Sequence, residues 1–406
     1  MKVCIIGGGA SGIVASIFSK NYHNEVILLE KNGDCLKKLL ITGNGKCNFF
    51  NDDFSISHYH SSNINYLDNL FTSFNKNMVL DFIKSIGISF INKNGYYYPM
   101  SNQAYSIHNA LIKEANIRGV EIKNNSNVID IKKVENKFNI YLDDDCIECD
   151  KVVISTGSYS YPKTGSTGDG YKFSKNFSHN IKKVIPGLVQ LVSSDKFISK
   201  LSGVRCNCMV SLNNKHEVGE IQFTDYGISG ICVYNLSILA NKLLDDRDSV
   251  LFKVNFLYNC NIEDYNGFID IINNYNSSLL DNRNITDLLE GFLNYKIVNT
   301  ILDLSGIDSN SKWNNITYED KVKLGKLLTE FNINIISSKG FDNAQVCLGG
   351  VSLDEVDCSC FKSKLVDGLF FTGELLDVVG DCGGYNLGFA FLSGMIVGKY
   401  IGDIND

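Results

Sequence analysis

Gly7-Gly8-Gly9-Ala10-Ser11-Gly12 follows a short apolar run, Lys2 to Ile6, and precedes apolar residues at helical spacing, Ile13 and Ile17. A G-x-G-x-x-G pattern between a strand and a helix suits pyrophosphate binding. Gly7 allows the tight turn, Gly9 lets a phosphate approach the backbone, and Gly12 lets the helix pack on the strand. The helix N-terminus then presents N–H groups and positive potential to the anion. A second apolar run, Glu25 to Leu29, ends on Glu30, whose carboxylate can accept hydrogen bonds from a ribose diol. A lone glycine pattern is no more than a turn; strand, helix and placed acid together specify a bound dinucleotide.

A second glycine-rich region decides which one. Gly373-Glu374 and Gly380-Asp381-Cys382-Gly383-Gly384-Tyr385-Asn386 immediately precede a long helical pattern near the far end of the chain. An NAD domain needs no such distant partner. In FAD the isoalloxazine lies far from the pyrophosphate, and a second helix N-terminus can stabilise negative charge at flavin N1/O2 as the ring is reduced. The stretch Lys37-Lys38-Leu39-Leu40-Ile41-Thr42-Gly43-Asn44-Gly45-Lys46-Cys47-Asn48 adds basic residues that could face phosphates and a glycine turn that could lie beside the flavin.

With Ser155-Thr156-Gly157, the run from Tyr161 through Lys163 to Gly170, Phe223 to Gly230, and Gly383 to Gly388, these motifs stand in order along the chain. They resemble one family closely, the BaiN/YhiN-like (aminoacetone oxidase-like) NAD(P)/FAD-dependent oxidoreductases. The resemblance implies an α/β fold: a Rossmann-like FAD-binding domain of the two-dinucleotide-binding-domain flavoprotein type, with an inserted β-barrel and a small helical subdomain. Carried over by position, it implies Gly7, Gly9, Ser11 and Gly12 at the pyrophosphate, and Glu30 with Lys31 toward the adenosine ribose. Lys38, Leu39, Thr42, Gly43 and Cys47 would line the flavin side. Val128 would meet the adenine through its backbone, and Thr156-Gly157 would bracket the nucleotide. Gly373, Glu374, Gly384, Asn386 and Leu387 would hold the ribityl chain and ring. The chain departs from the family at Lys46, Phe50 and Ile231, where Arg, Thr and Pro are common; Lys46 keeps the charge and loses the planar fork, which puts a bidentate contact there in doubt.

The elements needed to position these groups are legible in the pattern. The first strand, turn, helix and second strand form the dinucleotide unit, and Val152 to Ser155 and Leu369 to Thr372 read as further buried strands. From Asn63 to Gly87 apolar residues recur at helical intervals (Phe71, Phe74, Met78, Phe82, Ile86). Tyr96 to Tyr98, Val128 to Lys132 and Phe138 to Leu142 read as strands. The texture from Leu188 to Tyr258 is short and β-like, and that from Asn261 to Ser305 is helical. A discontinuous FAD domain is expected over 1–188 and 344–406, a barrel-like domain over 189–260 and 320–343, and a helical insert over 261–319.

With 406 residues, 44% hydrophobic and 20% charged, the chain is of ordinary globular composition and large enough to bury a cofactor. A net charge of −7 leaves no footprint for non-specific nucleic-acid binding, so no nucleic-acid partner is expected. Thirteen cysteines, an odd number, read as reduced thiols in a cytoplasmic protein. The pairs Cys146/Cys149, Cys206/Cys208 and Cys358/Cys360 lack nearby His to complete a zinc set, so no metal is expected. No stretch has the length and apolarity of a membrane span, so no membrane partner is expected. His58 and His60 sit in a polar, Ser- and Asn-rich segment that reads as a solvated loop, and Asp169 reads as a helix N-cap. Tyr96 to Tyr98 read as half-buried strand residues.

The function expected is that of an FAD-dependent oxidoreductase. NADH or NADPH would reduce flavin N5, which would pass hydride to an unsaturated carbonyl-type small molecule. Cys47, Tyr385 and Tyr161 are the candidate proton donors. No second G-x-G-x-x-G follows another strand, so a nicotinamide would dock transiently. Two alternatives stay open: a flavin oxidase of a small amine, and an FAD-binding protein with a partner- or RNA-related role. The sequence leaves the oligomeric state unknown.

Overall fold

The computed structural model describes residues 1–73 and 76–403. Phe74 of the expected helical stretch, and residues 404–406 of the expected FAD domain, lie outside them. The chain divides into two compact units, Met1–Pro186 with Ala344–Asp406, and Gly187–Asn343.

The first unit is built on a seven-stranded sheet. In spatial order its strands are Val356–Asp357, Lys362–Ser363, Leu369–Phe371, Lys151–Ile154, Lys2–Ile6, Glu25–Leu29 and Glu121–Lys123. The last five are mutually parallel, and Lys362–Ser363 runs antiparallel to both of its neighbours, Val356–Asp357 and Leu369–Phe371. Lys2–Ile6, Glu25–Leu29 and Lys151–Ile154 bury every residue after the first, because helices and loops cover both faces of a parallel sheet. A three-stranded antiparallel sheet, Val128–Val134, Lys137–Leu142 and Cys146–Cys149, and a second one of Phe50–Asn51, Tyr96–Pro99 and Phe90–Lys93 complete the unit's main layers. This is the Rossmann-like α/β architecture that the glycine pattern requires.

The helix Ala10–Ser19 leaves the first strand and packs on the C-terminal helix, Tyr385–Asp403. Glycines set how closely they approach. A Cβ on Gly394 would come within 2.4 Å of the Ser11 carbonyl oxygen, and one on Gly398 within 2.5 Å of Phe18 Cβ and 2.8 Å of the Ala15 oxygen. Ser11 meets Gly394, while Phe18 meets Gly398 and Gly402, so the two helices run in the same direction.

The second unit holds a closed six-stranded barrel in the order Leu191–Ser193, Gly227–Ser229, Lys215–Phe223, Arg205–Leu212, Val250–Asn255 and Phe331–Ser338. Burial alternates along Arg205–Leu212, as a barrel wall demands. The helices Tyr265–Asn273, Ser277–Asn282, Ile285–Glu290, Tyr295–Ser305 and Tyr318–Thr329 surround buried Trp313 and share one hydrophobic core with the barrel. The Asx and Thr residues at their starts (Asp264, Asn276, Asn284, Asn294, Thr317) cap them by accepting backbone N–H bonds. Among the described residues no helix is long and apolar enough to cross a membrane.

Two stretches differ from the sequence reading. The β-like texture of Leu188 to Tyr258 contains a 14-residue helix, Ile231–Leu244, whose all-round apolarity hides its period. Ile231 is its first residue, a position where Pro would also fit, because an N–H there has no intrahelical partner to lose. The single helical stretch expected over 63–87 is broken into a 3-10 turn, Ile64–Leu67, and two short helices, Asp68–Ser73 and Asn77–Ser85.

Gly398→Val would drive a branched side chain into the first helix. It is expected to cost roughly 1–3 kcal/mol, read as a lower urea midpoint at unchanged slope; a wild-type midpoint would mean that the helices do not touch there.

Candidate functional site

The loop after the first strand is held open by its glycines. Gly7 has φ +104°, and a Cβ there would meet the Ser155 carbonyl oxygen at 2.6 Å; one on Gly12 would meet the Gly7 oxygen at 2.0 Å. Ser155 Oγ donates to the Ile6 and Gly7 oxygens at 3.0 and 3.1 Å, joining the first strand to the one that ends in Thr156-Gly157. Gly9 precedes the helix and supplies no side-chain cap, which leaves the first-turn N–H groups facing outward. Ser11 is buried, with its Oγ 2.6 Å from where a Cβ on Gly373 would stand.

Glu30 is buried and already works as a local organiser. Its Oε2 accepts from the Gly8 N–H at 2.8 Å, and its Oε1 from the N–H and side-chain amide of Asn32 at 2.8 and 2.6 Å. Its carbonyl receives the Ser126 N–H at 2.9 Å, which brings the segment leading to Val128 alongside. Lys31 Nζ pairs with Asp169 at 2.6 Å and also reaches Thr167. Gly168, with φ +76°, precedes the helix Asp169–Asn176; Asp169 is therefore its first residue, and its carboxylate goes to Lys31 instead of capping. Gly157 has φ +73° beside Ser166, and Thr156 Oγ1 is buried with no hydrogen-bond partner among the described residues.

A second cluster centres on Glu374. Its Oε2 accepts from Lys38 at 2.5 Å, while Oε1 accepts from Ser158 Oγ at 2.5 Å, Ser160 Oγ at 2.6 Å and the Cys347 N–H at 3.0 Å. Donors from three distant chain segments thus converge on one half-buried carboxylate. Nearby, the Thr42–Gly45 turn runs through left-handed Gly43, Asn44 and Gly45 and returns the Cys47 N–H to the Thr42 oxygen at 3.0 Å. Cys47 is fully buried, and burial pushes its thiol up to about 12, so it stays protonated and unreactive near neutral pH. Leu39 is a buried core residue, and Lys46 is exposed.

The C-terminal turn meets the same region. A Cβ on Gly384 would lie 2.6 Å from the Phe50 oxygen and 2.8 Å from Asn48 Oδ1, and Asn51 Nδ2 donates to the Gly383 oxygen at 2.9 Å. Phe50 stacks on Phe54 at 4.5 Å, an aromatic packing that a Thr would not make. The Asn386 amide spans the turn, accepting from the Gly380 N–H at 2.8 Å and donating to the Gly380 oxygen at 2.7 Å, and Leu387 beside it is half-buried. Tyr385 opens the last helix, buried, with its phenol raised by desolvation and by nearby Asp53, Tyr96 and Asp381. Tyr161 instead sits in a left-handed conformation beside the Pro162–Thr164 turn, whose Thr164 oxygen receives Asn32 Nδ2 at 3.3 Å, on the Glu30 side of the sheet end. Cys47 and Tyr385 are thus brought into one neighbourhood through the approach of Asn48 to Gly384, and Tyr161 directly follows Ser160 of the Glu374 cluster.

His58 and His60 correct the sequence reading. They are not in a solvated loop: both are part-buried and bound to Asp381, His58 Nδ1 at 3.1 Å and His60 Nε2 at 2.8 Å, with His58 Nε2 also 2.9 Å from Asp53. The polar composition of 55–62 hid this because the partner lies more than 300 residues away.

The glycine cradle, the uncapped helix start and the orphaned Thr156 hydroxyl fit a bound dinucleotide. A protein-family model described as the HI0933-like protein Rossmann domain matches residues 1–400. The chain belongs to the HI0933-like family. It is 34% identical to a 3-dehydro-bile acid delta(4,6)-reductase of Clostridium scindens over 98% of both chains. It is 27% identical to a ribosomal RNA dihydrouridine synthase of Escherichia coli, covering 96% of this chain and 95% of that one. In fold it is similar to a 3-ketosteroid-delta4-(5alpha)-dehydrogenase of Rhodococcus jostii, at a TM-score of 0.50 and 12% identity over 99% of this chain and 96% of the other. As a member of this family the chain is an FAD-dependent oxidoreductase of Rossmann type.

Two measurements test the geometry. Glu374→Leu removes the acceptor of four donors and is expected to cost about 3 kcal/mol, as for a broken buried pair; a chemical melt unchanged from wild type would argue against the convergence. Alkylation by iodoacetamide in the folded protein near neutral pH is expected to modify exposed Cys146 and Cys260 and spare Cys47, with peptide mass mapping as the readout; early labelling of Cys47 would contradict its burial.

Proposed function

We propose that the enzyme reduces a carbon–carbon double bond conjugated to a carbonyl in a small, ring-shaped molecule, with NADH or NADPH as the electron source. The observation that carries this reading is the full-length similarity to a reductase named for a 3-dehydro-bile acid, in which a ketone is conjugated with the delta(4,6) bonds.

The residues assigned to FAD from the sequence fit an extended molecule. The two helices that begin at Ala10 and Tyr385 run in the same direction, and Tyr385 lies nine residues ahead of Gly394, the residue level with Ser11. Ala10 itself lies one residue ahead of Ser11, so at the helical rise the second helix start stands roughly 12 Å beyond the first. In this reading Gly7, Gly9, Ser11 and Gly12 hold the pyrophosphate, and Glu30 and Val128 hold the adenosine. Glu374, Lys38 and the Gly383–Asn386 turn face the ribityl chain and ring. Bound FAD supplies hydride chemistry.

The chain's own contribution is positioning and a proton. Hydride addition to the β-carbon of an enone leaves an enolate, which needs a hydrogen-bond donor at its oxygen and a proton to complete the reduction. Tyr385 suits that task. Its phenol stays protonated well past neutral pH, and among the described residues no hydrogen bond occupies its hydroxyl. Cys47 remains a neutral, buried thiol that packs the site.

A second reading, reduction of uridine in RNA, follows from the likeness to the dihydrouridine synthase. The C5–C6 bond of uracil is itself conjugated to a carbonyl, so the chemistry is shared and the substrates differ in size and charge. The acidic balance of the chain favours the small molecule.

The test is anaerobic reduction of the purified protein by NADH and NADPH in turn, then reoxidation by a 4-en-3-one, a uridine-containing RNA, or O₂. Fast reoxidation by the enone is expected; reaction with O₂ alone would identify an oxidase, and with RNA alone the second reading. Tyr385→Phe is expected to slow the enone step by about 10²-fold or more while leaving flavin content unchanged.

A further inference from the structure

His58 ends a 3-10 turn, Ile56–His58, and leads into the strand Tyr59–His60, which pairs antiparallel with Val379–Gly380. The Asp381 N–H donates to the His58 oxygen at 2.9 Å, and Tyr59 OH donates to the Tyr385 oxygen at 2.8 Å. The segment 53–60 therefore grips the turn that opens the last helix through its backbone as well as its side chains. On this frame the His58 imidazole stacks on the Tyr385 ring, with centroids 4.5 Å apart and planes 20° from parallel. Its two nitrogens are engaged by Asp53 and Asp381, which prevents the ring from turning.

We propose that His58 is a positioning residue: clamped between Asp53 and Asp381, its ring supports the face of Tyr385 and holds the phenol in the orientation that delivers its proton. The proposal rests on the reading that Tyr385 serves the enone step. Nothing is transferred to or from His58; it acts through the ring it supports.

The groups around the imidazole come from every neighbouring element. Asp53 and His60 lie on its own segment, His60 sharing Asp381 with it; Asp381 stands in the turn after the paired strand Val379–Gly380, Tyr385 at the helix start, and the Tyr59 hydroxyl is committed to the Tyr385 carbonyl. Desolvation alone would lower the His58 pKa, but the hydrogen bonds and charges of Asp53 and Asp381 outweigh it, and the net direction is up. A raised folded value gives the sign. The charged clamp is complete below the ordinary histidine value of about 6.5 and is lost as pH rises through the raised one.

Two kinds of readout test this. In ¹⁵N-histidine NMR of the purified protein, His58 is expected to titrate above about 6.5, with the Tyr385 ring resonances moving at the same midpoint. Asp381→Asn is expected to lower that midpoint. A His58 midpoint at or below the ordinary value, or Tyr385 resonances that ignore it, would overturn the clamp without any turnover being measured. In steady-state reduction of the enone, His58→Gln is expected to lower kcat roughly 10–100-fold, the range for misplacing a reacting group, with KM little changed. In a Tyr385→Phe background it should lower kcat no further. Equal losses in both backgrounds would mean that His58 does not act through Tyr385. Should the wild type reduce no enone, the reaction reading fails, and the NMR arm still decides the clamp.

Discussion

Backbone contact between two parallel helices, one from each end of the chain, underlies everything else in the first unit. Gly394, Gly398 and Gly402 form a face without side chains against Ser11, Ala15 and Phe18. That contact fixes the axial offset between the two helix starts. One start follows the glycine loop of the first strand; the other follows the Gly380–Gly384 turn. Their offset sets two uncapped helix starts apart along one direction, the arrangement on which the proposed extended site rests. Any side chain larger than hydrogen would push the axes apart and tilt the second start away from the first.

Charge organises the space between those ends. Glu374 gathers Lys38, Ser158, Ser160 and the Cys347 N–H, so that strand ends and loops far apart in sequence are tied at one carboxylate. Glu30 does the same beside the first glycine loop with Gly8 and Asn32. Such half-buried carboxylates are tolerable because each oxygen is satisfied by donors, and the same donors give the loops a defined shape. The His58–Asp381–His60 group extends this logic to the turn at Tyr385. Buried thiols such as Cys47 contribute packing, since desolvation keeps them neutral.

Much of this was legible in the residues. The glycine spacing, the acid at Glu30 and the apolar runs around them are local signals, and the parallel strands bury nearly every residue as such runs require. The barrel texture and the helical stretch after it were also readable, because alternation and Asx caps are written in neighbouring residues. The helix Ile231–Leu244 was not, since it is apolar on most sides and its period is masked. Asp169 reads as a cap by residue type, yet Lys31 claims its carboxylate from 138 positions away.

The sequence by itself determined where the backbone turns tightly: the glycine loop after the first strand, the acid that closes the second, and a second glycine turn before a long helix. These follow from short-range rules of backbone freedom and periodicity. The tertiary structure alone decided which polar residues meet. His58 and Asp381, Lys38 and Glu374, and Ser11 and Gly373 are each brought together by the sheet order and the helix pair. A polar residue carries no local mark of a partner hundreds of positions distant. For that reason the glycine turns could be read along the chain, whereas the stacking of His58 on Tyr385 appears only once the chain is folded.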